Sequence, residues 1–183
     1  EGEEIFCLKT HIALKKKLKN ITTIIIPRHV HRSYKILSLC KKYDLSAKLL
    51  NKKEIITGDK EIIIVNSFGV LLRYFKYARS VFIGKSILSN FKYVGGQNPI
   101  EAAKLGCKIY HGPYTYNFEE IYKLLKKYGV CEMIHNENEL SKKLIKDFQQ
   151  TKPNENKVIA VINNLGKNIL KKNLIKIDKI FKL

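Results

Sequence analysis

Short apolar runs without polar alternation punctuate this chain and narrow its fold to one class. They are Thr22-Thr23-Ile24-Ile25-Ile26, Glu61-Ile62-Ile63-Ile64-Val65, Ser80-Val81-Phe82-Ile83, Cys107-Lys108-Ile109-Tyr110 and the stretch from Val130 to Ile134. The first two, β-branched and unbroken, predict strands buried on both faces, as in a parallel sheet, and the other three read as further short strands. Ala47 to Leu50 is a further short strand. Segments of helical periodicity separate the runs: Glu3 to Leu18, Ser33 to Tyr43 with Ile36, Leu37 and Cys40 inward, Leu71 to Tyr77, Pro99 to Leu105, Asn117 to Tyr128 and Glu137 to Gln149. Lys152-Pro153-Asn154 breaks the last of these, and two more helices are expected over 155–163 and 167–181, divided at Gly166. Strands alternating with amphipathic helices predict an α/β fold, a parallel sheet with helices on both faces.

A length of 183 residues with 45% hydrophobic content suits one domain with a sizeable core. No apolar run approaches the roughly 20 residues of a membrane span. The start, Glu1-Gly2-Glu3-Glu4, is neither a signal peptide nor an initiating Met, so a piece of a longer protein is expected. The net charge of +19 suits nucleic acid, an anionic membrane surface or a phosphorylated ligand. The excess is nearly all Lys, and Lys, Ile and Asn dominate together, which A/T-rich coding also produces. Cys7, Cys40, Cys107 and Cys131 are scattered without metal-ligand spacing, which fits reduced thiols in a cytosolic compartment.

In a parallel α/β sheet, ligands bind beyond the carboxyl ends of the strands. The loops so placed are Pro27-Arg28-His29, Asn66-Ser67-Phe68-Gly69, Gly84-Lys85-Ser86 and Gly112-Pro113. With them stands Gly95-Gly96-Gln97-Asn98-Pro99-Ile100-Glu101, a glycine-rich approach to a helix with Asn98 as N-cap and Pro99 in the first turn. Helix N–H groups attract phosphate, and a carboxylate about one turn in accepts hydrogen bonds from sugar hydroxyls, so the segment suits a nucleotide. An ordinary capped helix after a glycine loop is the plain alternative. Arg28 can grip a phosphate or a base edge bidentately, and Lys85 and Ser86 can offer a point charge and a hydroxyl. Lys85 is equally compatible with a solvated surface lysine. Phe68 and Gly69 can offer a ring and backbone groups to a base. Asn117, in the aromatic stretch Tyr114-Thr115-Tyr116-Asn117-Phe118, suits a sugar contact or a plain N-cap. His29 and His31 lack acidic or Cys partners for a metal, and His111 is expected to be packed or capped. No nucleophilic triad, Walker-type phosphate loop, zinc pattern or dinucleotide fingerprint after the first strand is present.

Taken in order, these motifs resemble the C-terminal half of the bacterial 3-deoxy-D-manno-octulosonic acid (Kdo) transferases. The resembling pieces are Gly2-Glu3-Glu4, Pro27-Arg28-His29 with Arg32, Ser67-Phe68-Gly69, Gly84-Lys85-Ser86, Gly95 through Glu101, and Gly112-Pro113 with Asn117-Phe118. They cover nearly the whole chain. The family moves Kdo from CMP-Kdo to lipid A precursors in lipopolysaccharide biosynthesis, on a GT-B architecture of two Rossmann-like domains. The resemblance implies that residues 1–183 are the donor-binding domain, with the C-terminal helices of 152–183 packing on an N-terminal domain that also supplies the catalytic base. It places the CMP and CMP-Kdo contacts on Pro27, Arg28, Phe68, Gly69, Val70, Asn98, Pro99, Ile100 and Glu101, with Glu101 on the ribose hydroxyls. Lys85, Ser86, Gly96, Gln97 and Asn117 are further candidate phosphate or sugar contacts.

Several positions depart from the commoner pattern. Val70 stands where many members have Glu, Phe68 where many have Met, Asn66 for a frequent Asp, Lys85 for a Gly, and Gln97 and Tyr114 for a frequent His. The loop between Ser86 and Gly95 is longer than usual. Val70 offers only backbone or apolar contact, and Lys85 adds a charge near the phosphate. The resemblance implies no cofactor and no metal. It implies CMP-Kdo as donor, a lipid A precursor reached through the N-terminal domain, an anionic membrane surface for the whole protein, and the cytoplasmic face of the bacterial inner membrane. Alone, this chain is expected to bind CMP weakly and without turnover. The alternatives are a GT-B transferase or epimerase using another nucleotide sugar, and a basic nucleic-acid-binding module. Against the latter, aromatic and basic residues are not interleaved on one strand face.

Overall fold

The isoleucine-rich runs form strands where the sequence predicts them. The computed structural model describes residues 1–149 together with residues 159, 160, 162 and 163. The first sheet holds β1 (Thr23–Ile25), β2 (Ala47–Leu50) and β3 (Ile62–Val65) in the order β1-β3-β2. Every pairing is parallel, with Ile25 opposite Ile64 and Leu50 opposite Val65. β3 is central and all four of its residues are buried, which is why it reads as an unbroken apolar run. The second sheet holds β4 (Ser80–Ile83), β5 (Lys108–His111) and β6 (Cys131–Met133) in the order β4-β5-β6, again parallel. The strands are thus divided between two three-stranded sheets. Apolar runs identify strands without choosing their neighbours.

Parallel neighbours need crossovers, which helices supply everywhere except between β2 and β3, where residues 51–61 cross without one. α2 (Ser33–Lys42) links β1 to β2, with Ile36 and Cys40 buried against the first sheet. α3 (Leu71–Phe75) follows β3, α4 (Ile100–Lys104) leads into β5, and α5 (Glu119–Lys127) leads into β6. Ala102, Ala103, Tyr122 and Leu125 from α4 and α5 pack on Ile83, Ile109 and Cys131. Ile162 is buried in the same cluster. α6 (Glu137–Gln149) covers the other face of the second sheet through Leu140, beside Tyr110 and Ile134. The helix expected over 167–181 lies outside the described residues, as does most of that expected over 155–163.

α1 (Glu3–Lys15) ties the two sheets together. Leu8 enters the cluster of Ile25, Ile36 and Ile62 in the first sheet, whereas Phe6 enters that of Tyr110, Ile134 and Leu140 in the second. Along its length α1 packs on α6. The chain's first helix is therefore a shared wall, and its N-terminus is delivered to the loops at the carboxyl ends of both sheets.

Two predicted helix starts shift. The segment predicted to begin at Asn117 starts as a 3-10 turn over Tyr116–Phe118 and becomes α-helical only at Glu119. Asn117 caps nothing, because its side chain is engaged elsewhere, as described below. α4 begins at Ile100, but the Asn98 side chain accepts the Ile100 N–H at 3.0 Å, the bond expected of an asparagine cap with Pro99 in the first turn.

Cys7, Cys40 and Cys131 are free thiols. Burial pushes the Cys40 and Cys131 thiols up to about 11, which suppresses thiolate chemistry at both. Among the described residues, no group of three or more His, Cys, Asp or Glu could hold a metal ion, and no helix is long and apolar enough to cross a membrane.

Candidate donor-binding site

Because all the strands are parallel within each sheet, the loops after them emerge at one edge. Pro27 and Arg28 follow β1, and Phe68, Gly69 and Val70 follow β3, its hydrogen-bonded neighbour. Pro27 is half-buried and turns the chain so that Arg28 stands in solvent. Phe68 is 84% exposed, its ring open to solvent beside Gly69. Gly69 has φ +75, and Val70 heads α3, its carbonyl accepting the Arg73 N–H at 3.1 Å.

The glycine-rich segment is held from several sides. Gly95 and Gly96 are buried. A Cβ on Gly95 would collide with the carbonyl oxygens of Tyr114, Phe91 and Lys85, and Gly96 has φ +90 against the Thr115 backbone. The Gly96 N–H donates to Lys85 O at 2.7 Å, and Gly95 O accepts the Asn117 N–H at 3.0 Å. The Asn117 side chain donates to Val94 O at 2.8 Å, so this residue fastens the loop. From below, the Tyr122 hydroxyl donates to Gln97 O at 3.0 Å. The His111 ring lies 4.4 Å from the Tyr122 ring, with Nδ1 donating to Gly112 O at 2.7 Å. Burial pulls the His111 pKa below its ordinary value, leaving a neutral packed histidine as the sequence predicts. Pro99 is buried, whereas Asn98 and Glu101 are exposed and Ile100 is half-buried. Among the described residues, the backbone N–H groups of Gln97, Asn98 and Glu101 have no hydrogen-bond partner.

One contact joins the two halves. The Arg28 guanidinium donates from Nη1 to the Gln97 Oε1 at 2.7 Å, across 69 residues of sequence. It brings the loop after β1 onto the glycine segment before α4, with Glu101 one turn further on. α4 has only five residues and sums few peptide dipoles, so its N-terminus alone is a weak anion site. The charge at the site comes chiefly from Arg28, which adds a fork of donors suited to phosphate.

The loop after β4 is used differently from its sequence reading. Ser86 is fully buried; its hydroxyl donates to Ile83 O at 2.7 Å and accepts from Gly112 N at 2.9 Å. Those bonds and its burial make it an internal brace between the loop after β4 and the loop after β5. Lys85 takes φ +58, and its carbonyl holds Gly96. The N–H groups of Lys85, Ser86 and Ile87 all donate to the carboxylate of Glu3, at 2.8 Å for Ser86 and 2.9 Å for Ile87. Sequence reasoning assigned no role to Glu3. A glutamate opening a helix reads as a partner of the helix dipole, and nothing local points to a loop more than 80 residues away.

Two parallel sheets walled by helices, with the candidate site at their carboxyl edge, define a Rossmann-like α/β domain. The fold matches the crystal structure of the C-terminal CMP-Kdo binding domain of WaaA from Acinetobacter baumannii, with a TM-score of 0.74 and 17% identity over 89% of this chain and 82% of that one. In sequence, the chain is a homologue of the 3-deoxy-D-manno-octulosonic acid transferases. It is 29% identical to that of Haemophilus influenzae over 133 residues, 72% of this chain and 30% of the relative. It is 33% identical to that of Rickettsia felis over 131 residues, 72% of this chain and 27% of the relative. It is also 30% identical over 172 residues to a bifunctional glycosyltransferase/methyltransferase of Fusobacterium nucleatum, 86% of this chain and 24% of the relative. The chain thus spans about a quarter to a third of these relatives' length. No family model matches it.

Proposed function

We propose that this chain is the donor-binding domain of a Kdo transferase and binds CMP-Kdo at the carboxyl edge of its two sheets. The observation that carries the reading is the Arg28–Gln97 contact, which closes the loop after β1 onto the glycine segment in a chain whose relatives are Kdo transferases. In this reading Arg28 and the N–H groups of Gln97 and Asn98 face the phosphate. Ligand binding replaces the Gln97 side chain as partner of the guanidinium. Glu101 accepts hydrogen bonds from the ribose hydroxyls. Phe68, Gly69 and Val70 border the base, with Pro27 fixing the approach of Arg28 and Ile100 backing the nucleotide. Lys85 adds positive charge at the rim, and Val70 contributes apolar contact without a side-chain hydrogen bond.

The reaction is displacement of CMP from the sugar by an acceptor hydroxyl. The leaving group is an anionic phosphate monoester, and aligned N–H groups and Arg28 stabilise its growing charge without a metal. The acceptor needs a general base, which we place in the N-terminal domain of the whole enzyme together with the lipid A precursor site. The whole enzyme is proposed to work at the cytoplasmic face of the inner membrane.

Titration calorimetry and thermal shift of the 183-residue chain test the reading. CMP should bind and raise the melting temperature, UDP should not, and no sugar transfer should occur. Glu101→Gln should weaken CMP about tenfold while leaving inorganic phosphate unchanged, the loss of one charge-assisted contact. Binding of UDP in preference to CMP, or of neither, defeats the proposal.

A further inference from the structure

The consecutive glutamates that open α1 reach the two halves of the site separately. The Glu3 carboxylate accepts the N–H groups of Lys85, Ser86 and Ile87 in the loop after β4. The Glu4 carboxylate accepts from Arg32 Nη1 at 2.7 Å in the loop after β1, and also takes the Gly2 N–H at 2.8 Å. Both side chains of the Glu4–Arg32 pair are largely shielded, 12% and 18% exposed, so this ion pair escapes most of the screening that weakens surface pairs.

From these anchors the hydrogen bonds run on to the site. Lys85 O holds the Gly96 N–H at 2.7 Å, and the next residue, Gln97, holds Arg28. On the other side, the Arg32 N–H donates to His29 O at 3.0 Å, one residue from Arg28. The bonds close a ring: Glu3, the loop 84–87, Gly96 and Gln97, Arg28, the turn Val30–Arg32, and Glu4. Two adjacent side chains at one end of one helix therefore set the separation between Arg28 and the glycine segment. Three converging N–H groups also form a nest suited to an anion, and Glu3 fills it with a tethered carboxylate, keeping a phosphate from lodging there.

We infer that Glu3 and Glu4 are positioning residues for the donor site, a two-pronged clamp that fixes the gap in which the nucleotide phosphate sits. The inference rests on the donor-binding reading for its ligand and on the hydrogen-bond ring for its geometry.

The test uses the full 183-residue chain, ¹⁵N-labelled, with Glu3→Gln and Glu4→Gln. A glutamine keeps the size but removes the charge and one acceptor. In Glu3→Gln the amide resonances of Lys85, Ser86 and Ile87 should move, and those of Gly95 to Asn98 should move or broaden with them. The CMP dissociation constant, measured on folded protein, should rise about tenfold in either variant. Combining Glu4→Gln with Arg28→Ala should add no further loss, because Glu4 acts through the placement of Arg28. A merely structural role would lower the melting temperature and leave the Arg28→Ala combination additive.

The clamp is refuted if Gly95 to Asn98 stay in place when the Lys85 to Ile87 resonances shift, or if CMP binds both variants as it binds the parent. Should the parent chain not bind CMP at all, the donor-binding reading falls, and the amide shifts still decide the clamp. If Glu3→Gln does not fold, Glu3→Asp, which keeps the charge on a shorter arm, gives the same readout in milder form.

Discussion

Single atoms decide much of this site. At Gly95 the space for a side chain is already taken by the carbonyl oxygens of Tyr114, Phe91 and Lys85. Forcing a methyl group in must push apart segments that carry Gly96, Asn117 and the chain entering α4. We expect Gly95→Ala to lower unfolding free energy by about 1–3 kcal/mol, the usual range for overpacking, in a denaturant titration. CMP binding should weaken with it. A variant as stable as the parent would mean that these carbonyls part easily. The glycine pair was legible because glycines before Asn-Pro announce a tight approach to a helix start. The roles of Ser86 and Asn117 were not: a polar side chain in a loop reads as available until the structure shows which backbone groups it serves.

Among whole elements, legibility followed the length of the pattern. β3 was plain because four consecutive buried positions admit only apolar residues, and α2 because Ile36 and Cys40 return at helical spacing. The division into two sheets was hidden, since pairing depends on partners distant in sequence. So was the seat of α6. Its Asp147 accepts from the Ser80 hydroxyl at 2.5 Å and from the Tyr110 hydroxyl at 2.8 Å, pinning the helix to β4 and β5. An aspartate near a lysine-rich helix end gives no sign of that. Asp147→Ala leaves the hydroxyl of Tyr110, a residue only 1% exposed, without its acceptor and should cost about 1–3 kcal/mol. Asp147→Asn keeps an oxygen in place and should cost less. Equal losses in chemical denaturation would show that charge matters there more than the hydrogen bond.

Over the whole molecule, a net charge of +19 and two buried neutral histidines act in the same direction. His11, bonded through Nδ1 to the Thr23 hydroxyl at 2.9 Å, lies under the first sheet, and His111 ends the central strand of the second. Burial lowers both pKa values from the ordinary 6.5, for His11 against the pull of Glu61. The unfolded chain takes up protons near 6.5 that the folded chain refuses. The stabilisation is therefore complete above that value and is lost as pH falls through it. Growing positive charge adds self-repulsion on the same side. The melting temperature should drop between pH 7.5 and 5.5, and less steeply in His11→Gln; a flat profile in the parent would contradict this. One consequence of α1 concerns the order of events during synthesis. Its apolar face is completed by α6, whose sequence ends only at Gln149. During synthesis Leu8 can dock on the first sheet as soon as Ile62 and Ile64 are made, but Phe6 stays bare until Tyr110, Ile134 and Leu140 have followed. A nascent chain arrested short of α6 should therefore be a chaperone client.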